Sequence, residues 1–179
     1  HPEPQSVSAI RSLLAMEPDW DALIARAEKE GTLPLLFHSL RSLSDLVPGP
    51  ARERLKSGYL ANLIRNAHVL RALEPFLTAV REAGLRVALT KGGRLASTVY
   101  KDIALRPFWD VDFIVHPSDW PGLRAILLKQ GFGENEELKG GEAGRDDRLD
   151  WTYSPYFHRS GLFLEFHFNS IGLHIPFRS

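Results

Sequence analysis

Residues 108–115 read FWDVDFIV, and the two aspartates in that run limit what the rest of the chain can become. So many large apolar side chains in eight positions favour a strand buried on both faces. Successive strand side chains point to opposite faces, which puts Trp109, Val111 and Phe113 on one side and Asp110, Asp112 and Ile114 on the other. Burying an unpaired carboxylate is costly. Two carboxylates aimed at one spot therefore call for a positive partner, and a divalent cation is the strongest candidate. Oxygen donors suit magnesium better than zinc.

A third carboxylate stands in a similar setting. In LFLEFHF, residues 162–168, the two-residue repeat places Phe163, Glu165 and His167 on one face. Three such carboxylates, Asp110, Asp112 and Glu165, suit two magnesium ions, with manganese as the alternative. Paired ions of this kind stabilise attacking and leaving oxygens in phosphoryl transfer. His167 reads as a strand histidine satisfied by a backbone or carboxylate neighbour, supporting a ligand at most.

Upstream, LRVALT (85–90) reads as a strand, Lys91-Gly92-Gly93 as a turn, and RLASTVY as a helix beginning directly after the glycines. Bare N–H groups at a helix start, with no Cβ in the way, suit a phosphate. A glycine pair is also an ordinary tight connection, and its spacing matches neither the Walker nor the dinucleotide pattern. Arg106 can bind phosphate or pair with Asp102, and Lys91 has the same two readings.

Residues 7–83 carry helical spacing. Asp19 is a suitable N-cap, Gly31 and Gly84 are stops, and VPGP (47–50) precedes a long stripe of Leu55, Tyr59, Leu63, Ala67 and Leu70 that Pro75 kinks or restarts. After the aspartates, PSDWPGLRAILLKQGF reads as a helix ending at Gly131, residues 133–150 as a mobile polar loop, and WTYSPYFH and LFLEFHF as two strands joined at RSG. HPEPQS reads as a flexible terminus. The expected fold is α+β: an N-terminal helical bundle (1–83) packed on a small mixed sheet with flanking helices (84–179).

Charge narrows the partners. Lysine plus arginine and aspartate plus glutamate number 22 each, so bulk electrostatics argue against general nucleic-acid binding. There is no cysteine, which removes disulfides and thiolate zinc sites and fits a reducing compartment. No apolar stretch approaches the roughly 20 residues of a membrane span. The reading is a cytoplasmic protein.

The order KGG, then RPFWDVDFIV, a helix, GF, a variable stretch and LFLEFHF resembles a bacterial nucleotidyltransferase family within the DNA polymerase β-like superfamily. It is also similar to the abortive-infection toxin nucleotidyltransferases. The resemblance spans the second half and much of the helical lead-in. It implies a polymerase β-like core that moves a nucleoside monophosphate from a nucleoside triphosphate to an acceptor, be it a small molecule, protein or RNA. Asp110, Asp112 and Glu165 would ligate metal and serve catalysis, and Lys91, Gly92, Gly93, Arg94 and Arg106 would hold the nucleotide. The superfamily often has serine after the first glycine. Gly93 lacks that hydroxyl, so backbone amides and Lys91 or Arg94 would serve instead. Family members usually continue into further helices, and a segment is expected beyond GLHIPFRS. Rival readings are a toxin-like transferase acting on tRNA and a non-catalytic nucleotide-binding or interaction module.

Overall fold

The computed structural model describes residues 4–134, 154–158 and 161–168. The polar loop expected at 133–150 lies outside these residues apart from its first two positions. So do most of the RSG turn and everything past Phe168.

The described residues form an α+β protein. Helices α1 (Pro4–Leu14), α2 (Trp20–Lys29), α3 (Leu33–Leu40) and α4 (Gly49–Glu82) come first, followed by β1 (Val87–Leu89), α5 (Lys91–Thr98), β2 (Val111–Val115), α6 (Trp120–Lys129), β3 (Phe132–Glu134), β4 (Ser154–His158) and β5 (Phe163–His167). Local chemistry accounts for many of the boundaries. The Asp19 carboxylate caps α2 by accepting from the Ala22 N–H at 3.0 Å. Gly31, Gly84 and Gly131 all adopt positive φ, at +65°, +67° and +85°, where a side chain would be strained. One expectation needs correction: helix α1 takes in Pro4–Ser6 from the supposed flexible terminus. Helix α4 does not restart at Pro75, which lies inside it.

The chain groups into two compact units. One holds residues 1–67 and 96–107, the other 68–95 and 108–179. In the first unit Ile24, Ala27, Leu33, Leu40, Val47, Ala51 and Leu55 form one apolar cluster. Gly58 lies so close to Leu33 that an added Cβ would meet its side chain at 2.4 Å. Asn62 and Asn66 are buried on α4. Their amides donate to the carbonyls of Ala104 (2.6 Å), Ile103 (2.6 Å) and Arg106 (2.9 Å), tying down the segment ahead of the aspartates.

The second unit is built on a mixed five-stranded sheet in the order β1-β2-β5-β4-β3, with β2 and β5 parallel and the other pairs antiparallel. Leu164 and Phe166 are buried, whereas Phe163, Glu165 and His167, on the alternate face of β5, are only partly so. Phe166 stacks on Phe113 with centroids 5.5 Å apart, and Phe76, Trp120 and Tyr156 close around it. This aromatic core fixes the opposite faces of β2 and β5. Strand β3 was not expected, since Gly133 and Glu134 read as loop; it forms by pairing with β4.

Candidate active site

The site begins with register. Asp112 on β2 and Glu165 on β5 are Cα partners in the parallel pair, so their side chains emerge side by side. His167, two residues beyond Glu165, leaves the same face. Its Nε2 lies 2.9 Å from Asp112 Oδ1 and 3.7 Å from Glu165 Oε2. Asp112 is buried, with only 2% of its side chain exposed, while Glu165 and His167 are each 14% exposed.

The positive partner that the buried carboxylate demands is supplied by the chain itself. Lys91 Nζ hydrogen-bonds Asp112 Oδ1 and stands 3.9 Å from Glu165 Oε2 and 3.4 Å from His167 Nε2. Lys91 has φ +45°, a left-handed conformation uncommon for lysine and of the kind that clusters at functional sites. Thr90 anchors the approach. Its N–H donates to the Asp112 carbonyl at 2.8 Å and its hydroxyl to the same oxygen at 3.2 Å.

Electrostatics follow the geometry. Burial pushes the Asp112 carboxyl up, but hydrogen bonds from His167 and Lys91, the Lys91 charge and a hydrogen bond shared with Glu165 outweigh it and hold the group below the ordinary carboxylate range. Burial also works to lower the Lys91 pKa. The hydrogen bond to Asp112 and the charges of Asp112, Glu165 and Asp110 win, and the ammonium is held above its usual value.

Asp112, Glu165 and Lys91 thus come together. Asp110 stops one residue short of β2 in a bend, partly buried. It is close enough for its charge to act on Lys91, but it is not part of the Asp112–Glu165–His167 group that could share one ion. Trp109, expected within the strand, is 74% exposed. The glycines are not a turn. They lie in the first turn of α5, which starts at Lys91. Gly92 is demanded by packing, since a Cβ there would meet Phe108 Cβ at 2.7 Å. Arg94 is exposed one turn into α5. Arg106 lies in the first unit, and among the described residues it makes no ion pair with Asp102, which accepts from the Tyr59 hydroxyl at 2.5 Å. Sequence reasoning undervalued His167, although its two-residue offset from Glu165 was a visible signal. Thr90 was missed altogether.

A metal test follows from these atoms. Asp112, Glu165 and His167 each offer one donor, and the three donors lie within 4.8 Å of one another. Two carboxylate oxygens suit magnesium or manganese, and the imidazole nitrogen tilts the set toward the transition ion. The residues fit one divalent cation.

A family model described as "Uncharacterised nucleotidyltransferase" matches residues 16–177, most of the chain. No curated protein and no solved structure matches it. No helix among the described residues is long and apolar enough to cross a membrane.

Proposed function

The chain belongs to the uncharacterised nucleotidyltransferase family, and from that premise we propose that it moves a nucleoside monophosphate from a nucleoside triphosphate to an acceptor hydroxyl or phosphate in a divalent-metal-dependent reaction. An acceptor oxygen bonds to the α-phosphorus, the bond from that phosphorus to the bridging oxygen breaks, and pyrophosphate leaves. The observation that carries this reading is the registered pair Asp112 and Glu165 on adjacent parallel strands, with His167 beside them. A divalent ion held by this group would neutralise phosphate charge. Asp110 would add a carboxylate from just before the strand. Glu165, the more exposed of the registered pair, would take the acceptor proton or hold the acceptor side.

For the nucleotide, the first N–H groups of α5 at Gly92 and Gly93 have no carbonyl four residues back within the helix and would receive phosphate oxygens. Lys91 and Arg94 would supply positive charge.

The test is transfer itself. The full chain, magnesium or manganese, and each of four α-phosphate-labelled triphosphates are incubated with a cell extract. A labelled product is expected, and Glu165→Gln should keep nucleotide binding while losing roughly two to four decades of rate. No labelled product with any triphosphate and either ion would refute the transferase reading.

A further inference from the structure

Lys91 touches every donor that would hold the ion. It bonds to Asp112 Oδ1 and sits 3.9 Å from Glu165 Oε2 and 3.4 Å from His167 Nε2. A divalent ion ligated by those three atoms cannot share their centre with an ammonium group, by volume or by charge. Resting on the metal-dependent reading above, we propose that Lys91 holds the cation position in the metal-free protein, is displaced by the incoming ion, and then pairs with the triphosphate at the start of α5, so that metal and nucleotide enter together.

Three observations carry this. The lysine is anchored at one end of its path and open at the other: its side chain is 39% exposed, against 2% for its main partner Asp112. The charges of Asp110, Asp112 and Glu165 also all act on the Lys91 ammonium, and a gathering of carboxylates suits a doubly charged ion. Finally, the residue that would release the carboxylates is the first residue of α5, next to the first-turn N–H groups of Gly92 and Gly93. A lysine leaving the carboxylates needs to travel only along its own helix start to meet a phosphate bound there. If Lys91 were only a structural ion-pair partner, removing it would cost stability and leave metal affinity alone or reduce it.

Manganese alone is the probe, titrated into the full chain and followed by electron paramagnetic resonance of the free ion. The parent should bind weakly, Lys91→Met roughly tenfold more tightly or better, and Lys91→Arg as weakly as the parent. Lysine acylation read by mass spectrometry gives a second measurement on the unmutated chain. Manganese should speed labelling of Lys91 relative to the other lysines, and tripolyphosphate added with the ion should slow it again. Equal manganese affinity in the parent and Lys91→Met, or Lys91 labelling indifferent to bound manganese, overturns the displacement while leaving the metal site standing. Labelling that rises with manganese but ignores tripolyphosphate overturns the hand-over to phosphate. Binding in neither protein, with Asp112→Asn no different, overturns the metal reading itself.

Discussion

Two polar clusters, one in each compact unit, are built on opposite terms. On α4, Asn62 and Asn66 present neutral amides to the carbonyls of residues 103, 104 and 106, and Tyr59 donates to Asp102. Each donor there meets a fixed backbone or side-chain acceptor. Around Lys91, by contrast, Asp112, Glu165 and His167 crowd one ammonium that is shared between them and partly exposed. The amide cluster spends its hydrogen bonds on holding the backbone. The charged cluster gathers ionisable groups around a partly exposed ammonium, a setting that suits the binding of a further charged group.

The contrast can be broken most sharply at Asp112. Asp112→Asn keeps the shape but removes the charge, and roughly three decades of transfer rate should go while the fold survives; a rate within a few-fold of the parent would mean that this cluster is structural too. Next comes Asn66→Ala, which withdraws the donor from two carbonyls near a fully buried position. It should cost roughly 1–3 kcal/mol in denaturant unfolding with manganese affinity unchanged. Lost metal binding at unchanged stability would reverse the assignment.

The smallest effect is in the pH profile, whose two ends probe the two clusters. Asp112 has a depressed folded pKa, so its contribution to stability is present above the ordinary carboxylate value and lost as pH falls through the folded one. Asp112→Asn should flatten that acid decline. Tyr59 is raised by its hydrogen bond to Asp102, then by burial, so its contribution is present below its unfolded value and lost as pH rises through the folded one. Tyr59→Phe should remove its share of the alkaline decline and leave the acid limb untouched. Acid and alkaline denaturation monitored by circular dichroism distinguishes the two.

Much of this was legible because it depended on near neighbours in the chain. The Asp19 cap, the stops at Gly31, Gly84 and Gly131 and the alternation that put Glu165 with His167 all follow from spacing of a few residues. So did the need for a positive group beside Asp112. The identity of that group was not legible, because Lys91 and Asp112 are 21 residues apart and meet only when α5 starts beside β2. The start of α5 at Lys91 was hidden for the same reason: the surface that requires Gly92 is Phe108. Strand β3 is short and polar at its end, and only its ladder with β4 makes it a strand.

The amino-acid order alone marked which residues are candidates to carry chemistry, because side-chain type and the two-residue strand period are properties of the chain itself. It placed Asp112, Glu165 and His167 on strand faces and marked Lys91 and the glycines as a group. Tertiary structure decided which of them meet. Parallel pairing of β2 with β5 set Asp112 opposite Glu165, the strand began only after Asp110, and packing brought a lysine to the centre of the donors. Register and helix starts are fixed by packing between segments far apart in sequence, and no local pattern encodes them.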